Sequence, residues 1–477
     1  MALAVGEFMS ECEVDLFVIG GGSGGVRAAR IAASHGAKVL LAEEFRLGGT
    51  CVVRGCIPKK LLVYASRYRK SFDEARGFGW DSKDVPVLDW KRLIAAKDRE
   101  IQRLEDLYSA SQRDAGVMVI NSRAVLEAPD MVRLLKDGRS VRAGNILIAT
   151  GARPNLLDVP GVQHAITSNE VFDLQQLPAR IMIVGAGYIA LEFASLFANL
   201  GSEVTILHRR GHVLDEFDQD LSGSLMSSLI KKGVTFILND VLALIESSKA
   251  EGCDDDPNDR RALSITTKCG RCVTVDEIVL AVGRSPNTQN LGLEAAGVQL
   301  DELGAIEVDV ESKSTVSGIF AVGDVTNRVN LTPVAIREGH SLADRIFGDK
   351  QWWVDYEGIP KAVFSTPEIG SVGLTQSEAL ELMPIIDVYK TRFTPLKASL
   401  AGNSDQSLMK LIVEPNSNRI IGAHIFSDEA AEMVQFLAIM LRSGITKDQF
   451  DSTMAVHPTA AEELLTLKNP LRISRKN

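Results

Sequence analysis

The chain has 477 residues, with 52 Lys and Arg against 62 Asp and Glu, a formal net charge of −10. At roughly 150 residues per domain it holds about three domains, and its acidity argues against a binder of nucleic acid or anionic membranes, whose footprint would be basic. Hydrophobic residues at 45% and charged ones at 24% exclude global disorder, and no apolar run nears the ~20 residues that span a bilayer.

The N-terminus, MALAVGEFMSECEVD, carries acids where a secretory leader carries Lys or Arg, so a cytoplasmic protein is expected. DLFVIG (Asp15 to Gly20) then reads as a buried strand. Gly20, Gly22 and Gly25 form G-x-G-x-x-G around Ser23 and Gly24, and VRAARIAASHGAKVLLAE continues as a helix and a second strand ending at Glu43. The first glycine makes the tight turn, the second lets a pyrophosphate approach the backbone, and the third lets helix pack on strand. The helix N-terminus offers N–H groups and partial positive charge to phosphates, and Glu43 stands where ribose hydroxyls would lie. On the same helix Arg27 and Arg30 are spaced to share a face.

Residues 48–60 read GGTCVVRGCIPKK. Cys51 and Cys56 are near enough in sequence to close a small disulfide ring. Pro58 and the helical spacing of KKLLVYASRYRKSF put Cys56 near a helix N-terminus. The dipole there, with Lys59 and Lys60, favours a thiolate, so this pair reads as a redox couple.

The nucleotide signal recurs in RIMIVGAGYIALEFASLFANLGSEVTILHRR, with Gly185-Ala186-Gly187-Tyr188-Ile189 at the turn. The step from Gly20 to Glu43, repeated from Gly185, lands on His208, and Arg209 and Arg210 follow. Loss of the acid and gain of arginines suit a 2′-phosphate, hence NADP at this site and an unphosphorylated dinucleotide at the first. Two such sites in one chain imply a flavin exchanging electrons with a nicotinamide. The acidic run 251–261 reads as a loop insertion. Cys269 and Cys272, in TTKCGRCVTV, read as a hairpin turn, and without further ligands nearby they do not make a metal site. Cys12 and Cys253 carry no motif.

GGTCVVRGCIPKK, GAGYIALEFA, the Ala149-Thr150-Gly151 turn, AVGRSPN, FAVGDV and HPTAAEE follow one another as in the pyridine nucleotide–disulfide oxidoreductases. The chain resembles that family from about residue 14 to its C-terminus. Its GTCVVRGCIPKKL form is similar to the bacterial and plant-type branch that reduces glutathione disulfide with NADPH. The resemblance implies an α/β fold of two Rossmann-like dinucleotide-binding domains and a C-terminal α+β interface domain. These are an FAD domain with the redox disulfide (14–150), an NADP domain (151–284), a segment completing the FAD site (285–355) and a dimerisation domain (356–477). It also implies one non-covalent FAD per subunit, NADPH as reductant, and a homodimer.

Carried onto this chain, the resemblance gives Ser23, Thr50, Thr150 and Gly151 to the FAD cradle, Asp324 to the ribityl chain, and the backbone at Thr332 to the flavin ring. Lys59 would lie beside the flavin, paired with Glu192, and Tyr188 would cover the ring until nicotinamide displaces it. Gly283 and Arg284 of AVGRSPN would join the cofactor contacts. Cys56 would be the flavin-facing thiolate, Cys51 the thiol that attacks substrate, and His457 the acid/base, oriented by Glu462 and completing the partner's site, with Pro458 cis. Arg30, Arg27, Leu107 and Tyr108 would meet glutathione, two cations suiting an anionic disulfide. The chain departs from the pattern at His340, where some relatives have an arginine, and at Asp215, where a second 2′-phosphate arginine is usual, which leaves Arg209 as the main anchor. Rivals within the family differ visibly: thioredoxin and mercuric reductases carry C-terminal cysteines, whereas none follows Cys272 here. Another low-molecular-weight disulfide, or a dihydrolipoamide dehydrogenase-like subunit docked in a complex, stand as alternatives, although the latter would want an acid at His208.

Overall fold

A computed structural model describes residues 13–80, 86–248 and 262–475. Cys12, Cys253 and the 251–261 insertion lie outside the described residues. The chain divides into two compact units, one from Met1–Lys59, Arg92–Asn155 and Gly283–Asp355, the other from Lys60–Lys91, Leu156–Val282 and Tyr356–Asn477. Among the described residues no helix is long and apolar enough to cross a membrane.

The first unit is built on a seven-stranded sheet. Its parallel part runs Met118–Asn121, Val39–Glu43, Glu13–Ile19, Ser140–Ile148, with Ile319–Ala321 also parallel to Ser140–Ile148. Strands covered on both faces need near-continuous apolar runs, and Leu16, Phe17, Val18 and Ile19 are all buried. Met131–Leu134 and Ala124–Ala128 extend the sheet antiparallel. Across one face lies the helix Ser23–Ser34 against the helix Thr332–Phe347. A Cβ on Gly339 would stand 2.5 Å from the Gly24 carbonyl oxygen, so the two backbones touch only because a glycine sits at the crossing.

The second unit holds a five-stranded parallel sheet ordered Thr235–Leu238, Glu203–His208, Arg180–Val184, Glu277–Leu280, Ile166–Thr167. An antiparallel trio follows, Leu242–Ser248, Ala262–Thr267 and Cys272–Val275. The C-terminal part of this unit is a six-stranded antiparallel sheet with the helix Ala430–Arg442 laid on it. The two nucleotide-type sheets and the C-terminal α+β layer agree with the expected fold class.

The strand Ser407–Val413 is buried along its whole length yet contains Lys410. Its ammonium bonds both oxygens of Asp218 at 2.8 Å and one of Asp220 at 2.8 Å. Asp218 also caps the helix Gln219–Lys231, so one carboxylate ties helix start to sheet. Removing one partner of such a pair leaves a buried charge uncompensated. Lys410→Ala is expected to cost about 3–5 kcal/mol in chemical denaturation; a loss below about 1 kcal/mol would show that water reaches the pair.

Candidate active site

At the first turn the three glycines have different reasons. Gly20 has φ of +106°, and a Cβ there would meet the Ala149 oxygen at 2.5 Å; one on Gly25 would meet the Gly20 oxygen at 2.0 Å. A Cβ on Gly22 would meet nothing nearer than Gly49 Cα at 3.9 Å. The fold itself therefore requires the outer two, while the middle one opens space in front of a helix. The second turn repeats this: a Cβ on Gly185 would strike the Ala281 oxygen at 2.2 Å, whereas Gly187 faces room within 4 Å. Gly22 and Gly187 are also the N-caps of the helices Ser23–Ser34 and Tyr188–Leu200, and neither gives a side-chain cap. Two helix ends with uncapped amides and a cleared approach fit two pyrophosphates.

Glu43 closes the strand after the first turn, as expected. Its Oε2 accepts from Gly21 N at 2.7 Å and its Oε1 from Phe45 N at 2.8 Å, so it also braces the turn. Burial pushes this carboxyl up, and the Phe45 and Gly21 amides pull it back. The second turn's strand ends at His208. Burial is the main cause that lowers its pKa, and Arg209 and Arg210 add to it. Arg210 is ion-paired to Asp215, which also takes His212 at 2.9 Å.

The redox segment docks on the first turn. Gly48 N donates to the Gly21 oxygen at 2.8 Å, and a Cβ on Gly49 would meet Gly22 Cα at 2.6 Å. This holds the helix Gly49–Arg54, with Thr50 and Cys51, beside the glycine cradle. Cys56 is the first residue of the helix Cys56–Ala75, at the end where the dipole favours a thiolate. Its sulfur lies 3.7 Å from Thr332 Oγ1. Cys51 faces Cys56, Thr332 and Ser23; its hydrogen bond to Cys56, then burial, push its thiol far up.

Asp324 lies in the short turn Gly323–Thr326. Burial raises its carboxyl; Arg284 opposes this and Glu338 adds to it. Glu338 escaped the sequence reading. It is buried and accepts the Gly323 amide at 2.7 Å, fixing the turn that presents Asp324. Its only local sign is an acid within a helix, which by itself reads as surface. Thr150 Oγ1 donates to the Asn287 carbonyl at 2.8 Å, and Asn287 N returns a bond to the Gly151 oxygen at 2.9 Å. Arg284 donates to the Ala152 carbonyl, and Gly283 accepts from Asn155 N at 3.0 Å.

Tyr108, on the helix Trp90–Asp114, responds to three of the residues predicted with it. Burial chiefly raises its phenol, Cys51 adds to this, and Arg27 and Arg30 oppose it. Burial, then Arg30, lower Arg27 in turn. The two cations, the tyrosine and the reactive thiol therefore share one electrostatic neighbourhood. Leu107 beside them is 52% exposed. His340 packs edge-on to Trp352 with ring centroids 5.6 Å apart and lies 3.5 Å from Asp344, so it stands in a local cluster.

In the second unit, Glu192 is buried and accepts the Phe364 amide at 2.8 Å, while Tyr188 is 41% exposed at its helix start. His457 precedes a cis proline, as expected. Its Nδ1 lies 3.0 and 3.1 Å from the Glu462 carboxylate oxygens, and Glu462 also completes a capping box with Thr459. Lys59 falls in the first unit and Glu192 in the second.

Two patterns of known proteins match the chain: pyridine nucleotide-disulphide oxidoreductase over residues 14–339, and the dimerisation domain of the same name over 359–468. The chain belongs to this family. A glutathione reductase of Burkholderia cepacia is 48% identical over 97% of this chain and 100% of the relative. The chloroplastic/mitochondrial glutathione reductase of Pisum sativum is 43% identical over 98% of this chain and 84% of the relative. A trypanothione reductase of Trypanosoma congolense is 35% identical over 96% and 95%. Among solved structures, the HOCl-induced flavoprotein disulfide reductase RclA of Escherichia coli aligns with a TM-score of 0.84 at 27% identity, over 95% of this chain and 99% of that one. Family membership carries use of a flavin and a nicotinamide coenzyme, and the dimerisation domain carries a homodimer.

Proposed function

We infer that the chain reduces glutathione disulfide to glutathione with NADPH. The observation that carries this reading is the neighbourhood of Cys51, Tyr108, Arg27 and Arg30. Relatives named glutathione reductase stand at 48% and 43% identity and one named trypanothione reductase at 35%, and paired cations favour the anionic disulfide. The chemistry supplied by the bound cofactors, one non-covalent FAD per subunit and NADPH, is delivery of two electrons to the Cys51–Cys56 disulfide. The outward-open second glycines and uncapped helix ends support Gly20, Gly22, Ser23, Gly24, Gly25, Glu43, Thr50, Thr150, Gly151 and Asp324 as the FAD cradle. Gly185, Ala186, Gly187, Ile189 and Arg209, helped by Arg210, hold NADPH. Lys59 tunes the flavin side, and Tyr188 guards the nicotinamide face.

The chain's own residues do the thiol chemistry. The helix N-terminus favours Cys56 as thiolate, and a base takes the proton of Cys51. His457 takes that proton as the Cys51 sulfur attacks the substrate disulfide, then returns it to the leaving glutathione thiolate. Glu462 fixes the imidazole so that Nε2 faces the sulfurs. Cys56 then attacks the mixed disulfide on Cys51 and releases the second glutathione. The His457 side chain is 81% exposed although its Nδ1 is already bound to a carboxylate. A half-built acid/base so open to solvent supports completion by the partner subunit's Cys51. A cycle that needs the Cys51–Cys56 disulfide to be reducible suits a reducing, cytoplasmic setting.

Steady-state turnover of the purified yellow protein against a panel of disulfides tests the reading. Glutathione disulfide with NADPH is expected to exceed trypanothione disulfide, and NADPH to exceed NADH, each by about tenfold or more in kcat/KM. Faster turnover of a cationic disulfide, or turnover only with a stoichiometric partner, overturns it.

A further inference from the structure

The pair Cys269 and Cys272 is not used by the chemistry above. Both are exposed. They sit at the tip of the hairpin joining Ala262–Thr267 to Cys272–Val275, where Thr267 N donates to the Arg271 oxygen at 2.9 Å and Gly270 turns with φ of +80°. Cys272 pairs with Thr266, and its sulfur lies 3.8 Å from Thr266 Oγ1 on the more exposed side of the hairpin. Cys269 instead adjoins Asp240, whose Oδ1 accepts the amides of Val241 at 2.8 Å and Cys269 at 3.1 Å. Asp240 is 5% exposed, and its buried Oδ2 has no hydrogen-bond partner. This carboxylate holds the Cys269 thiol above its usual range.

The same aspartate leads to the coenzyme loop. Asp240 N donates to the His208 oxygen at 3.2 Å, and Asn239 N donates to the Arg210 oxygen at 3.3 Å. The hairpin tip is thus linked through one residue to the backbone that presents Arg209. Lys268 and Arg271 flank the thiols with positive charge, which suits an anionic disulfide.

We propose that Cys269 and Cys272 form a second dithiol–disulfide couple, oxidised by glutathione disulfide, that weakens NADPH binding by withdrawing Cys269 from Asp240. The exchange balances. The exposed Cys272 sulfur attacks one sulfur of glutathione disulfide, forming a mixed disulfide and releasing one glutathione, whose thiolate takes up the Cys272 proton. The Cys269 sulfur then attacks that of Cys272, the second glutathione thiolate leaves, and the Cys269 proton passes through solvent to that leaving thiolate. Two cysteine sulfurs are oxidised and one glutathione disulfide is reduced. Because the two thiols sit on different sides of the tip, closing the bridge takes Cys269 off Asp240 and loosens the 208–210 backbone. The inference rests on the proposed use of NADPH and Arg209, but its chemical step is read on a peptide separate from Cys51 and Cys56.

The FAD-loaded full chain is incubated without NADPH in mixtures of glutathione and its disulfide, quenched by alkylation, and mapped by mass. The peptide carrying Cys269 and Cys272 is expected to lose two hydrogens in disulfide-rich buffer and regain them in thiol-rich buffer. The oxidised protein is expected to show an NADPH KM about fivefold higher, a change absent from Cys272→Ser, whose basal turnover is unaltered. Saturating NADP⁺ is expected to shift the half-oxidation point toward the dithiol by the factor by which the bridge weakens NADP⁺ binding. A peptide that stays reduced, or that carries only a single glutathione adduct, overturns the couple. A closed bridge with unchanged KM and no effect of NADP⁺ overturns its role.

Discussion

Co-expressing Cys51→Ser with His457→Ala subunits is expected to restore roughly a quarter of wild-type disulfide reduction, from two variants nearly dead as homodimers. Cys51→Ser removes the attacking sulfur. His457→Ala removes a proton carrier whose loss costs on the order of 10²–10⁴ in rate, and a nucleophile whose thiol is pushed up by Cys56 and burial depends strongly on such a base. In a mixed dimer one site holds both lesions. The other joins an intact Cys51 to the partner subunit's intact His457. Random assembly makes about half of the dimers mixed, and each has one working site of two. If His457 served its own chain, every site would carry one lesion and nothing would return. Silence in dimers confirmed as mixed by mass would therefore sink the shared-site reading.

Arg209→Glu is expected to raise the KM for NADPH at least about tenfold while leaving that for NADH within about twofold, since a charge-assisted contact to the 2′-phosphate is worth on the order of 1.5–3 kcal/mol. The structure sharpens the choice of residue. Asp215 draws both Arg210 and His212 into ion pairs, whereas Arg209 makes none among the described residues. Arg210→Glu should accordingly act more weakly, and Asp215→Ala should lower the NADPH KM by releasing Arg210. Equal effects of Arg209→Glu on both coenzymes would show that this arginine is only surface.

Much of the site was legible because its signals are local. A tight turn at Gly20 or Gly185 is imposed by sterics within the surrounding strand–turn–helix, so the glycine spacing announces it whatever the remainder of the chain does. Apolar runs such as Leu16–Ile19 betray strands covered on both faces. Cys56 was placed at a helix start by Pro58 and the pattern after it, and the cis peptide before Pro458 followed from the family motif. The remainder depends on residues distant in sequence meeting in space. Glu338 on the Gly323 amide follows from the packing of the helix Thr332–Phe347, and a buried acid looks like a surface acid until that packing is known. The Lys410–Asp218 pair joins a strand and a helix start that no short window relates. Tyr108 comes within electrostatic range of Cys51 and Arg27 only once a long helix is laid beside the first sheet. The link from Cys269 through Asp240 to the coenzyme loop likewise arises from three segments brought together by strand order, which local pattern leaves open.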